Sequence, residues 1–372
     1  MAASNHRSNL CHVKIAQPCE SVTNRTRERI IRIMVSSRKV ISRRKFIRIA
    51  SGALALVPFS ERVFAGQPPG NIGGLTPNRE FYVTSYGGTP SVDASRWSLK
   101  IHGLVRQPLT LSYADIVRIP AVRQILTLEC IGNPPDGDAI GNAEWTGIKL
   151  KPLLQQAEVK PNAVYAAMRA ADGYSTGVPL AEIMREENWL VYRMNGEPLP
   201  PEHGYPLRIF IPGKYGMKQP KWLTEIEFVD TPFIGYWEAR GWSNEAWRKV
   251  NSGFFYPRRP RGILDVLSLD TSAKVTAPVD LAGWALAGPA GIRRVEVSTD
   301  DGATWHAARQ LGNASPYIWT VWQYHFAPAR PGDYLVRVKA TDGNGITQPD
   351  SYAERGDGGT SQPRLQLKVT AA

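Results

Sequence analysis

Val122-Arg123-Gln124-Ile125-Leu126-Thr127-Leu128-Glu129-Cys130, running on into Ile131-Gly132-Asn133-Pro134-Pro135-Asp136-Gly137, is the stretch on which the fold turns. Its first part is β-rich and mostly apolar, as a core strand is, and the Gly/Asn/Pro/Asp cluster that follows is a strong turn. Cys130 therefore sits where a core strand meets a loop, a usual place for chemistry on a rigid scaffold. Upstream, Trp97, Leu99 and Ile101 alternate with Ser98, Lys100 and His102, which predicts a half-buried strand broken by Gly103. Leu111 to Val117 and Leu180 to Glu187 are short helix candidates, and Leu207 to Ile211 is a buried strand ended by Pro212-Gly213. Strands and short helices in this mixture predict an α+β domain.

From about residue 240 to 262 the chain is rich in Trp and Arg (Trp242, Trp247, Arg258, Arg259, Arg261) with little pattern, and reads as a connector packed against the first domain. Beyond it, short alternating runs are separated by turns. Val295 and Val297 lead into Asp301-Gly302, Tyr334, Val336 and Val338 precede Asp342-Gly343-Asn344-Gly345, and Leu365, Leu367 and Val369 close the chain. This pattern predicts an all-β, immunoglobulin-like sandwich without the cysteine pair of antibody domains. Asp136-Gly137-Asp138 and the Asp342 turn lack the long loop and closing Glu of a calcium site, so both are read as turns.

Composition bounds the function. With 372 residues, 42% hydrophobic and 21% charged, the chain has enough apolar content for two cored domains and is neither fibrous nor disordered. Thirteen Lys/Arg against three Asp/Glu place +10 of the net +12 in residues 1–65, which leaves +2 for the rest and argues against nucleic-acid binding. That basic leader contains Ser42-Arg43-Arg44-Lys45-Phe46-Ile47, the apolar run Ile49 to Phe59 and the small-residue site Val63-Phe64-Ala65, and it resembles a twin-arginine export signal. The apolar run is too short to cross a hydrocarbon core, which takes about 20 residues. Translation is expected to start at Met34, and export to the periplasm by the twin-arginine machinery, which carries folded proteins, implies a cofactor. The expected division is a leader (1–65), an N-terminal arm (66–78), a first domain (79–262) and the sandwich (263–372). Cys11 and Cys19 fall in the leader, so beyond it Cys130 stands alone, either inert and buried or ligated as a thiolate to a soft metal. His102, His203, His306 and His325 are far apart in sequence, which disfavours zinc, c-type haem and iron–sulfur clusters.

Thr127-Leu128-Glu129-Cys130-Ile131-Gly132-Asn133 resembles the molybdenum-ligand segment of the sulfite oxidase family of molybdopterin enzymes. Further segments follow in the family's order. Trp145-Thr146-Gly147-Ile148-Lys149-Leu150 with Leu153-Leu154 resembles the helix after the ligand segment. Asp172-Gly173-Tyr174-Ser175 through Pro179-Leu180 resembles the catalytic-tyrosine segment. Asn195-Gly196 through His203-Gly204-Tyr205-Pro206-Leu207-Arg208 resembles the pterin-binding loop, with Pro212-Gly213 and Lys221-Trp222-Leu223 continuing the pattern. The region from Gly283-Trp284 to Trp305 is similar to the family's dimerisation domain. The resemblance implies a molybdopterin-binding domain followed by an immunoglobulin-like dimerisation domain, and a molybdenum-molybdopterin cofactor ligated by Cys130. It implies that the Tyr174 hydroxyl touches the oxygen passing between metal and substrate. It also assigns cofactor contacts to Tyr82, Val83, Thr84, Tyr86, Asp172, His203, Arg208, Gln219 and Lys221. Among these Arg208 pairs with the pterin phosphate, Lys221 adds a point charge and His203 hydrogen-bonds the pterin. One thiolate suits such a site, because the cofactor's dithiolene completes the sulfur set and carries the two-electron chemistry.

Departures from the family pattern bear on substrate. Where sulfite-oxidising members carry a Phe-Val-Arg-Asn-His type segment, this chain has Phe81-Tyr82-Val83-Thr84-Ser85-Tyr86, so Thr84 replaces the substrate arginine. Where they carry Arg-Arg after Cys-x-Gly-Asn, it has Pro134-Pro135. A buried dianion without its cations loses several kcal/mol, so sulfite is disfavoured. Lys214-Tyr215-Gly216-Met217-Lys218 looks more like the periplasmic methionine sulfoxide reductase branch, and Lys214 or Lys218 either restores a charge to the site or lies on a solvated loop. Oxygen-atom transfer, sulfoxide reduction and a non-catalytic exported binding role remain the alternatives. A Cys-x-x-Cys-His segment is absent, so electrons are expected to pass to a separate cytochrome or membrane haem/quinone subunit. The resemblance of the sandwich implies a homodimer.

Overall fold

Strand β1 (Ser98–Gly103) follows from simple alternation. Leu99 and Ile101 point into the core, Lys100 faces water, and Gly103 at φ +82° passes so close to Phe228 that a Cβ would lie 2.4 Å from its carbonyl oxygen. The computed structural model describes residues 74–258, 272–311, 315–352 and 356–370; the expected leader and residues 66–73 of the expected arm lie outside the described residues.

One five-stranded sheet runs in the order β2 (Leu109–Ser112), β1, β10 (Leu223–Val229), β5 (Tyr165–Ala170), β6 (Ser175–Pro179), with β1 and β10 parallel and the other pairs antiparallel. A second runs β3 (Val122–Glu129), β4 (Ile140–Lys149), β7 (Trp189–Met194), β8 (Glu197–Pro198), with β9 (Arg208–Phe210) also paired to β7. Among the described residues the α-helices are short. Helix α1 (Tyr113–Arg118) begins at a Ser112/Asp115 capping box, α2 (Lys151–Ala157) buries Leu153, Leu154 and Ala157, and α3 (Leu180–Ile183) is a single turn. One apolar core joins α2 to Leu99, Ile101, Met168, Ile209, Ile226 and Phe228.

Three expectations are corrected. The Trp145–Leu150 segment, matched by resemblance to a helix, is the end of β4 and its exit; Gly147 packs against the Leu190 carbonyl oxygen, 2.0 Å from where a Cβ would stand, and helix begins only at Lys151. The helix expected over Leu180–Glu187 stops at Ile183, where the Asn188 side chain donates to the carbonyls of Glu182 and Ile183 and turns the chain toward β7. The supposedly patternless connector contains β11 (Asn251–Tyr256), which is paired with the sandwich.

The sandwich has one sheet in the order β11, β13 (Val279–Leu286), β17 (Thr320–Phe326), β16 (Arg309–Leu311), and another in the order β12 (Ala273–Thr276), β19 (Arg364–Thr370), β18 (Gly332–Asp342), β14 (Ile292–Ser298), β15 (His306–Ala307). Strict alternation in β19 buries Leu365, Leu367 and Val369 against Val336, Val338 and Trp322. Both suspected calcium loops are turns. Asp342 Oδ1 accepts from the N–H groups of Asn344 and Ile346, and Asp136 Oδ1 accepts from Phe254 N–H at 2.7 Å. The architecture is the expected α+β domain followed by an all-β sandwich.

Candidate active site

Strand β3 delivers Cys130 with its backbone committed: its N–H donates to Ala139 O at 2.9 Å, and its carbonyl accepts from Asn133 N–H at 3.0 Å. The strand is clamped from the sandwich side. Thr127 N–H donates to Tyr317 O (3.0 Å), its hydroxyl accepts from Trp319 N–H (2.9 Å), and its carbonyl accepts from Arg248 Nη1 (2.8 Å). Buried Glu129 accepts on Oε1 from Asn133 (3.2 Å) and Asn251 (3.0 Å), while its Oε2 has no hydrogen-bond partner. Burial raises the Glu129 carboxyl and lowers the Arg248 guanidinium, each opposing the other's loss of charge. Arg248 and Glu129, which brace the strand that leads to Cys130, were not singled out by sequence reasoning. The half-buried Cys130 thiol is pushed up by burial, while hydrogen bonds from Gly132 N–H and the Thr84 hydroxyl favour its thiolate. Thr84, at the position of the expected substrate arginine, thus serves the sulfur instead.

Beside Cys130 lies a cradle for an anion. Tyr82 couples electrostatically to both Cys130 and Arg208. Arg208 is 3% exposed, donates from Nη1 to His203 O at 3.0 Å, and has no partner for Nε. Burial brings it down to about 10. Lys221 donates to Glu202 O at 2.8 Å and lies 4.3 Å from the Trp222 ring; burial first, and Arg208 second, bring it down to about 7, with Asp172 and Glu202 offsetting only part. The stems of the two residues close on Gly204 at φ +115°, where a Cβ would come within 3.1 Å of the Lys221 Cβ and 3.2 Å of the Arg208 Cβ. Two desolvated and mutually coupled cations, one with an N–H that has no partner among the described residues, make a site that gains by taking up a phosphate. His203 is buried against the Asn78 carbonyl (3.1 Å) and edge-on to Phe81, and burial lowers its imidazolium. Asp172 accepts from Tyr174 N–H at 3.0 Å, which fixes the turn before β6, and burial raises its carboxyl.

Tyr174 is buried, and its hydroxyl donates to Met217 O at 2.6 Å. Burial raises its phenol well above the ordinary value, and Glu238, Asp172 and Cys130 add to the shift. An aromatic rim continues outward from it. Tyr236 lies 6.5 Å from Tyr174 and 4.1 Å from exposed Tyr86, Trp237 lies 5.0 Å from Tyr236, and Trp242 lies 6.5 Å from Trp237 and packs over Gly132. Val83 is half exposed on the segment that carries Tyr82, Thr84 and Tyr86. Arg240 stacks on Tyr236 from the solvent side, 3.5 Å from its ring centre.

The lysine-rich loop departs from expectation. Lys214 and Lys218 are fully buried rather than solvated. Lys214 pairs with Glu182 at 2.6 Å and donates to Glu245 O, while Lys218 pairs with Glu238 and donates to Gly177 O. Neither lends an uncompensated charge to the site. Gln219 spends its amide on the same loop, accepting from Ile211 N–H and donating to Lys214 O. Pro134, Pro135 and Asp136 line a cleft against the sandwich with Asp350, Ser361 and Gln362. Among the described residues no three His, Cys, Asp or Glu side chains converge as metal ligands.

The family model described as oxidoreductase molybdopterin binding domain matches residues 86–237, and the one described as Mo-co oxidoreductase dimerisation domain matches residues 265–355. The oxidoreductase YuiH of Bacillus subtilis (strain 168) is 35% identical over 150 residues, 40% of this chain and 74% of its own length. Mitochondrial sulfite oxidase of Mus musculus is 28% identical over 334 residues, covering 79% of this chain; the match spans 61% of that relative's length. The structure of the sulfane dehydrogenase SoxCD from Paracoccus pantotrophus superposes with a TM-score of 0.64 at 23% identity, over 80% of this chain and 84% of that one, and shows the shared fold.

Proposed function

We propose, from the premise that this chain belongs to the molybdopterin-binding oxidoreductases, that it catalyses two-electron oxygen-atom transfer with Cys130 as the protein ligand of the metal. The observation that carries this reading is the pair of buried cations Arg208 and Lys221, coupled to Cys130 through Tyr82, with an Arg208 Nε that has no partner among the described residues and so suits a cofactor phosphate. When bound, the cofactor supplies the electron-pair chemistry and the exchangeable oxygen. Arg208 and Lys221 hold the phosphate, with the His203 carbonyl accepting from Arg208 and Asp172 partly balancing the Lys221 charge. Thr84 and Gly132 steady the Cys130 sulfur as thiolate. Tyr174, kept in its phenol form, donates a hydrogen bond to the substrate oxygen in place of Met217 O. Tyr82 couples Cys130 to Arg208, and Val83 and Tyr86 are exposed on the same segment, with Tyr86 on the aromatic rim.

An uncharged organic sulfur compound, such as a sulfoxide to be reduced, fits this mouth better than sulfite. Thr84 is engaged by Cys130, Pro134 and Pro135 face the sandwich, and Lys214 and Lys218 are neutralised. With Arg208 and Lys221 given to the cofactor phosphate, none of the positions where the resemblance or the lysine-rich loop would supply a substrate cation offers one to a dianion. The aromatic rim suits a thioether or sulfoxide sulfur. The protein is exported to the periplasm through its twin-arginine leader, pairs into a homodimer through the sandwich, and exchanges electrons with a separate cytochrome or membrane subunit. The molybdenum-loaded protein, assayed side by side for sulfite oxidation and for reduction of methionine sulfoxide or a small S-oxide, should turn over the sulfoxide; efficient sulfite oxidation would overturn the substrate reading, and inactivity on both would overturn the reaction.

A further inference from the structure

The aromatic rim carries a cation that the proposed chemistry leaves unused. Tyr174, Tyr236, Trp237 and Trp242 follow one another at ring separations of 6.5, 5.0 and 6.5 Å, and Trp242 closes the arc over Gly132, two residues past Cys130. Arg240 lies on the turn between Trp237 and Trp242, and its guanidinium stacks 3.5 Å from the centre of the Tyr236 ring. Its Nη1 donates to Tyr236 O at 2.7 Å, so a ring and a carbonyl together set the plane of the fork. The turn itself is tied down, because the Arg240 and Trp242 N–H groups both donate to Trp237 O, at 2.9 and 3.2 Å. Among the described residues no carboxylate pairs with Arg240. The acid on the same turn, Glu238, is buried and engaged by Lys218 and Thr176. Arg240 is exposed, and beside it a Cβ on Gly241 would meet nothing within 4 Å.

We infer that Arg240 determines substrate choice by receiving a carboxylate carried several bonds away from the reacting sulfur, so that the substrate is an organic S-oxide, uncharged at sulfur and anionic at its far end. This rests on the reading of the site as one for an organic sulfur compound, and it names the class of that compound. Tyr174 is buried and Arg240 exposed, and the Tyr236 ring neighbours both, so the two mark the inner and outer ends of one path. A compound that reacts beside Tyr174 reaches the guanidinium only through a chain of several bonds. Sulfite has no such chain, whereas a sulfoxide on an amino-acid side chain has one. With Nη1 given to the Tyr236 carbonyl, Nε and Nη2 remain as the pair of parallel donors that grips both oxygens of a carboxylate. The stack already holds them in place, so little side-chain freedom is lost on binding. An exposed pair held in this way should be worth about fivefold in affinity, the upper part of the range for surface ion pairs.

Calorimetric titration of the molybdenum-loaded protein, held without an electron donor so that nothing turns over, compares N-acetylmethionine sulfoxide with its carboxamide. The acid should bind about fivefold more tightly than the amide, and about 0.5 M NaCl should remove most of the difference. In Arg240→Gln the ratio of the two affinities should fall to about one. In Tyr236→Leu, which keeps the charge and removes its platform, it should fall to about two. Equal binding of acid and amide by the wild type, binding of neither, or a ratio unchanged in Arg240→Gln would overturn the inference. Turnover decides the underlying reading separately. Reduction of dimethyl sulfoxide by a protein with no preference for the acid overturns the role of Arg240 alone. A preference for the acid that Arg240→Gln abolishes, in a protein that reduces no S-oxide, upholds the carboxylate receptor and overturns the sulfoxide chemistry.

Discussion

Lys221→Met probes the cradle where charge and burial conflict. Burial and Arg208 bring the Lys221 ammonium from 10.5 down to about 7. At about 1.4 kcal/mol per unit this corresponds to at most about 5 kcal/mol against a charged Lys221, and partial exposure reduces the effective cost to about 2 kcal/mol. The unfolded chain holds this proton up to a higher pH than the folded one. The cost is therefore fully present below about pH 7 and disappears as the pH rises toward 10.5. Methionine keeps the apolar stem and removes the charge, losing the bond to Glu202 O, which is a loss of about 1 kcal/mol. Urea unfolding of cofactor-free protein should show the variant gaining about 1–2 kcal/mol relative to wild type between pH 9 and pH 6. The same variant, expressed with cofactor available, should retain less of it, because the two cations are balanced only by a phosphate. A variant destabilised equally at both pH values would refute the reasoning.

Gly204→Ala places a Cβ at φ +115° between Lys221 and Arg208. It should cost about 1–3 kcal/mol in urea unfolding and reduce cofactor retention together with stability. Arg248→Met removes the donor to Thr127 O and leaves Glu129 buried without its opposing charge. A loss of about 3 kcal/mol, with an unchanged denaturant slope and faster alkylation of Cys130 in cofactor-free protein, is expected.

The parts of the fold legible in sequence are those with one wet face. β1 and β19 alternate cleanly, and the turn after Cys130 declares itself through Asn133, Pro134 and Gly137. Alternation vanishes where both faces are covered. β11 buries Asn251, Ser252, Gly253 and Phe254 in succession, with Asn251 and Ser252 held by Glu129 and Gln348, so a genuine strand looked like connector. β4 is covered in the same way around Trp145, and its apolar run is indistinguishable from a helix by period alone. At the site, Cys130, Tyr174, His203, Arg208 and Lys221 were reached through motifs. Lys214 and Lys218 were misjudged because the acids that neutralise them, Glu182 and Glu238, belong to other segments, and no local pattern announces such a pair. Arg248 was hidden for the same reason, since its partners Thr127 and Glu129 come from a distant strand.

Metal analysis of the natively exported protein beside Cys130→Ser tests the central claim most directly. The account predicts about one molybdenum per chain in the wild type and none held by a folded Cys130→Ser variant. A folded wild-type protein without molybdenum, or a variant that keeps the metal in full, would contradict it.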